Sequence, residues 1–193
     1  MKCLWDFLSK NDSFSTQHGK EYFVARFESS ILYKHIWLYE YEQVKQDVIE
    51  AKNGQFSLYR KYAKQLAEVA ALEVPNLQSY TCTYIPTIKE HLKQRGYDHA
   101  QKLSNYFSKN VRLKNIKTIK PDHQISQHSL NASSRYNNAK YKVIRDIYHE
   151  KIILIDDIST TRSTLFNASK MLKNAGCQEV LAMTICYREK NLY

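Results

Sequence analysis

Glycine and proline are scarce, at 4 and 3 among 193 residues, which leaves little room for long linkers or low-complexity stretches. Cysteine is sparse too. Cys3, Cys82, Cys177 and Cys186 form no CxxC pair and have no histidine at ligand spacing, so neither a zinc site nor a disulfide framework is expected. No apolar run is long enough to cross a bilayer. The N-terminal stretch MKCLWDFLSKND is too short for that and has no cleavage region, so a soluble, cytoplasmic protein without membrane insertion is expected. No internal repeat is present. These absences leave an ordinary globular chain, long enough to bury one real core.

Negative charge is also in short supply, and unevenly so. The formal net charge is +10. Residues 1–75 are balanced, with 10 basic and 10 acidic side chains, whereas residues 76–150 hold 13 basic and only 5 acidic. Such a field favours an anionic partner, either a nucleic acid or a polyphosphate ligand; a merely basic surface is the plainer alternative.

The apolar pattern alternates between strands and helices. ILYKHIWLY (31–39) reads as a strand, followed by a helix from Tyr41 to Lys52 with Val44, Val48, Ile49 and Ala51 inward, ended by Asn53-Gly54. Ser57 is a candidate cap for a second helix with Leu58, Tyr62, Leu66, Val69 and Ala70 inward. Tyr80–Ile85 reads as a strand ended by Pro86. Thr87–Tyr97 is a basic segment. Asp98 and Gln101 make a variant capping box for a helix with Ala100, Leu103, Tyr106 and Phe107 inward. Ile116–Ile119 is a short strand stopped by Pro121, and residues 122–140 form a long polar loop. Ile152–Ile155 has the continuous apolar character of a strand covered on both faces. A helix with Leu165, Ala168, Met171, Leu172 and Ala175 inward ends at Gly176, and Glu179–Tyr187 is a further strand. The expected class is α/β, a doubly wound parallel sheet.

Ligands in such folds bind beyond the carboxyl ends of the strands. Asp156 and Asp157 stand there, and adjacent carboxylates repel unless sugar hydroxyls or a hydrated Mg²⁺ engage them. Ser159, Thr160, Thr161, Ser163 and Thr164 follow, leading into a helix N-terminus, and together make an anion site. Acids that hold hydroxyls beside a phosphate cradle describe a pocket for ribose 5-phosphate. The plainer alternative is a hydroxyl-rich cap after an ordinary strand.

IILIDDISTTRST resembles the signature of type I phosphoribosyltransferases, which bind phosphoribosyl pyrophosphate (PRPP). Three further segments resemble the ComF family of competence proteins, with its GntX-like members. Arg95-Gly96-Tyr97-Asp98-His99-Ala100 is similar to that family's RGFNQA block. Gln127-His128, Leu130, Arg135, Asn138 and Ala139 resemble a Q-H-x-L…R-x-x-N block. Lys52 resembles its early-helix lysine. The resemblance implies ribose and Mg²⁺ binding by Asp156 and Asp157. It implies 5-phosphate binding by Ser159, Thr160, Thr161, Arg162, Ser163 and Thr164. Lys52, Arg95 and Gly96 would lie at the pyrophosphate, with Gln127, Arg135 and Asn138 on a loop that closes over the ligand. It further implies a small N-terminal helical and strand subdomain over 1–75, hood-like on a phosphoribosyltransferase-type core over 76–193.

The sequence departs from that family in four places. Its CxxC zinc module is missing, only Cys3 remaining, so no zinc is expected. RGYDHA stands for RGFNQA, and Tyr84 for the first proline at the strand end. Arg162 stands where the phosphate loop normally has Gly. Either its side chain swings out to contact phosphate, or the loop changes and PRPP binding weakens. The expected function is that of a ComF-like protein of natural transformation, with PRPP and Mg²⁺ as ligand and cofactor. Its partners would be single-stranded DNA, a helicase and a recombination mediator. Alternatives are active, Mg²⁺-dependent phosphoribosyl transfer to an unknown acceptor, or a single-stranded DNA adaptor with a vestigial site. The interleaving of Tyr136 and Tyr141 with Arg135, Lys140, Lys142 and Arg145 bears weakly on the last.

Overall fold

The computed structural model describes residues 12–17, 19–87, 89–121 and 141–188. Cys3 and the whole second block, Gln127, Arg135 and Asn138 among them, lie outside the described residues. In chain order the elements are β1 (Asp12–Gln17), β2 (Lys20–Arg26), β3 (Lys34–Glu40), α1 (Tyr41–Lys52), α2 (Phe56–Glu73), β4 (Tyr80–Tyr84), α3 (Lys89–Arg95), α4 (His99–Val111), β5 (Ile119–Pro121), β6 (Tyr141–Val143), β7 (Lys151–Ser159), α5 (Ser163–Asn174) and β8 (Glu179–Tyr187).

Six strands form one sheet in the order β1-β2-β3-β8-β7-β4. β3, β8, β7 and β4 run parallel, while β1 and β2 add antiparallel at the β3 edge. The hairpin is an element that the apolar pattern of the first thirty residues did not suggest. It makes the sheet continuous from β1 to β4. The remaining strands, β5 and β6, pair antiparallel in a separate ribbon.

Both faces are covered, as the class requires. Along β7 the side chains alternate: Ile153 and Ile155 pack with Tyr59, Leu66, Leu103 and Phe107 of α2 and α4. Ile152 and Leu154 pack with Leu165, Ala168 and Leu172 of α5 and with Ile119 of β5. This two-sided burial is why Ile152–Ile155 is an unbroken apolar run rather than an alternating one.

Local expectations hold with several corrections. Helix α1 has the expected bounds and begins with a capping box between Glu40 and Gln43, but Ile49 is 41% exposed and does not join Val44, Val48 and Ala51 in the core. Ser57 is not a cap: α2 starts one residue earlier, and its N-cap Gln55 makes no side-chain capping bond. Asp98 does cap α4, accepting from the Gln101 N–H at 3.1 Å. The basic segment before it contains helix α3, ended by Gly96 at φ +77°, whose N–H donates to the Leu92 carbonyl. Strand β5 begins where the expected Ile116–Ile119 strand ends, and Pro121 is its last residue, which Pro tolerates on an edge.

Candidate functional site

The pleat decides what the two carboxylates do. Successive residues of a strand point to opposite faces, so Asp156 and Asp157 diverge at the carboxyl end of β7. Asp157 turns towards α1 and α2. Its Oδ2 lies 3.2 Å from Lys52 Nζ and accepts a long hydrogen bond, 3.5 Å, from the Tyr59 hydroxyl. Its Oδ1 accepts from the Ile158 N–H at 2.9 Å. Burial, and then the charge of Asp157, push the Tyr59 phenol far up, so it remains a donor. Lys52 is therefore committed to an acid of the site: it closes α1 and neutralises Asp157. It is fixed in turn by Tyr97, whose hydroxyl donates to the Lys52 carbonyl at 2.7 Å.

Asp156 turns to the α5 face and is half-buried. Its Oδ1 accepts from the Asp157 N–H at 2.9 Å. Burial, and secondarily the neighbouring Asp157, hold its carboxyl well above the usual carboxylate range. A group so placed gains by meeting a cation or by donating a proton to a hydroxyl.

After β7 comes the hydroxyl loop. Thr160, Thr161 and Ser163 are half-buried, and Thr164 is exposed. The Thr161 hydroxyl donates to Ser163 Oγ at 2.9 Å and accepts from the Ser163 N–H at 3.4 Å. The first N–H groups of α5 have no helical acceptor and carry the positive end of the helix dipole. Ser159 Oγ is buried with no hydrogen-bond partner among the described residues.

Arg162 sits at the turn into α5 with φ +58° and ψ −4°. This is the left-handed conformation that glycine adopts without penalty, and here a side chain bears it. The side chain runs inward and is 4% exposed. Its guanidinium lies 4.2, 5.0 and 6.0 Å from the ring centroids of Tyr187, Trp37 and Phe27. Nε donates to His35 Nδ1 at 3.3 Å. The side chain thus does not swing out towards a phosphate: the backbone is left-handed at Arg162, and the charge is drawn in beneath the loop.

The RGYDHA block organises the opposite wall. Asp98 caps α4 and, through Oδ2, accepts from the Thr87 N–H at 2.7 Å, tying the loop after β4 to this helix. Arg95 is exposed, and its Nη1 donates to His99 Nε2 at 2.7 Å. The arginine always carries its protons, so His99 bears its own on Nδ1, which is buried without a partner among the described residues. Burial lowers the pKa of His99, favouring this neutral form.

The fold therefore brings Lys52, Tyr59, Tyr97, His99 and Asp157 together on one face of the sheet end, with Asp156 and Arg162 on the other. Tyr59, Tyr97, His35 and Trp37 were not singled out in the sequence as site residues. Tyr97 lies within the RGYDHA block, but nothing local marks Tyr59 on α2 or His35 and Trp37 on β3, because they reach the site from elements distant in sequence from β7. No helix among the described residues is long and apolar enough to cross a membrane.

Over 105 residues the chain is 31% identical to Competence protein F of Haemophilus influenzae, a match covering 50% of this chain and 46% of that one. The matched stretch thus spans less than half of that relative's length. No protein-family model matches the chain. Among solved structures, it aligns with a hypoxanthine phosphoribosyltransferase from Staphylococcus aureus at 12% identity and a TM-score of 0.44, covering 70% of this chain and 68% of the other. A purine phosphoribosyltransferase from Pyrococcus horikoshii aligns at 15% identity and a TM-score of 0.38, covering 66% and 81%.

Proposed function

We propose that this chain is a ComF-like protein with a phosphoribosyltransferase-type site for a 5-phosphorylated ribose, PRPP being the ligand whose groups fit it best. One observation carries the reading. The acid-bearing end of β7 leads through a hydroxyl-lined turn, left-handed at Arg162, into the N-terminus of α5. An anion at that turn would meet backbone N–H groups, hydroxyl donors and a helix dipole, with Asp156 available to ribose hydroxyls. Asp157 supports the site from behind rather than from within: Lys52 already neutralises it.

Mg²⁺ fits in a limited way. Among the described residues no three His, Cys, Asp or Glu side chains gather as a metal would need, and the two aspartates diverge. The ion would come with the pyrophosphate oxygens, Asp156 serving as its partner on the protein, through water. There it would neutralise pyrophosphate charge. Arg95, exposed and aligned by His99, supplies a second cation for the same group.

The likeness to Competence protein F supports a place in natural transformation, in the cytoplasm, where single-stranded DNA, a helicase and a recombination mediator would be partners. A nucleic-acid role has an observation of its own. On neighbouring helices α2 and α4, the Arg60 guanidinium lies 5.4 Å from the Tyr106 ring centroid and the Lys102 ammonium 4.8 Å from that of Phe56. Bases stack on such basic–aromatic surfaces.

Calorimetry with PRPP and Mg²⁺ tests the site. Wild type should bind, and Asp156→Asn should bind at least tenfold more weakly; absence of binding by wild type would sink the reading. Titration with single-stranded DNA across salt tests the second role, which requires affinity to fall steeply as salt rises.

A further inference from the structure

Arg162 combines three properties that rarely coincide: a left-handed backbone, near-complete burial and a full charge. Each is unfavourable alone, so the surroundings must hold all three in place. They are well built to do so. Tyr187, Trp37 and Phe27 surround the guanidinium, and the Trp37 ring also stacks on His35 at 4.9 Å between centroids, with the planes 24° apart.

His35 is completely buried and accepts a hydrogen bond from Arg162 Nε–H on Nδ1, so its own proton is on Nε2, which donates to Thr184 Oγ1 at 3.0 Å. The Thr184 hydroxyl donates in turn to the Cys186 carbonyl at 3.2 Å. Burial, and then the adjacent Arg162 charge, hold the His35 pKa well below its usual value, which keeps this tautomer neutral. The relay joins the turn to β3 and β8, two central strands of the sheet. On β8, Thr184 stands in register with both Trp37 and Asp156. The anchor and the acid of the candidate site thus share one cross-strand row.

We propose that Arg162 is a positioning residue for anion binding: anchored on His35, Thr184 and the ring cage, it holds the turn from Ser159 to Ser163 in the shape that meets a sugar phosphate. A rigid turn needs no ordering when the ligand arrives, so affinity is gained by preorganisation. The inference rests on the phosphoribose reading of the site.

Its test uses the full chain with ribose 5-phosphate as the probe, in wild type, Arg162→Gly, Arg162→Met and His35→Phe. Binding is measured by calorimetry, and amide hydrogen exchange is followed at residues 160–164 and along β7 and β8. The expected result is binding by wild type and at least tenfold weaker binding by Arg162→Gly and Arg162→Met. Exchange should quicken in the turn while β7 and β8 stay protected. His35→Phe keeps a ring in the stack but removes the acceptor, so it should show the same effect in smaller degree. Merely structural packing would leave the affinity of every folded variant within twofold of wild type, and that result overturns the inference while leaving the site reading intact. A wild type that does not bind ribose 5-phosphate overturns the site reading and the inference with it. If Arg162→Gly does not fold, Arg162→Met and His35→Phe decide by the same criteria.

Discussion

Replacing Lys52 by Met should destabilise the protein because it strands Asp157. The carboxylate side chain is 8% exposed and that of Lys52 25%, with 3.2 Å between Nζ and Oδ2. At an effective dielectric constant of about 20, the bare attraction at that distance is roughly 5 kcal/mol, an upper bound before desolvation of either ion. Removing one partner of a fully buried pair costs about 3–5 kcal/mol. The partial exposure of Lys52 lets water take over some of its role, so about 2–3 kcal/mol is the expected loss. Met retains the apolar stem, which confines the change to the charge. For a domain of this size that corresponds to a melting temperature lower by roughly 5–10 °C. The informative assay is a double-mutant cycle by urea denaturation, with Lys52→Met, Asp157→Asn and the double variant. Once Asp157 is an amide, losing the lysine should matter little, so the coupling energy should be about 2 kcal/mol. A coupling below about 0.5 kcal/mol, as for an exposed pair, would refute the claim that Lys52 serves Asp157.

Two other perturbations follow from the same end of the sheet. Asp156 has a folded-state pKa raised by burial and by Asp157, so the folded state holds its proton more tightly than the unfolded chain. Stability should therefore fall as pH rises from about 4, the ordinary carboxylate value, towards the raised one. Asp156→Asn should abolish this slope and raise the melting temperature at pH 7 but not at pH 3. An unchanged difference between variant and wild type across that range would contradict the assignment. Asp98→Ala removes both the α4 cap and the acceptor for the half-buried Thr87 N–H, and should cost about 1.5–2.5 kcal/mol in urea denaturation, the sum of a lost cap and a partly stranded donor. A loss under about 0.5 kcal/mol, typical of a surface change, would show that neither bond matters.

Much of the fold was legible because the signals are local. The apolar run of β7, the helical spacing in α1, α2, α4 and α5, and Asp98 ahead of Gln101 each act within a few residues. Strands β1, β2 and β6 were not legible. β1 and β6 are polar or short, and an edge strand or ribbon needs little apolar surface of its own; β2 is paired on both sides and buries Tyr22, Val24 and Ala25, but its apolar run of four is too brief to tell strand from helix by period.

The sequence by itself determined that a covered strand ends in two acids and runs through a hydroxyl-rich turn into a helix, because burial and helix N-termini impose those patterns locally. It could not determine which way each acid points or what Lys52 and Arg162 touch. Only the tertiary structure decided that Asp157 belongs to Lys52 and Tyr59, and that Arg162 turns inward onto His35, 127 positions away in the chain. The reason is that pleat and packing, unlike capping or periodicity, act between residues far apart in the chain. A charge finds its partner only after β3, β7 and β8 lie side by side.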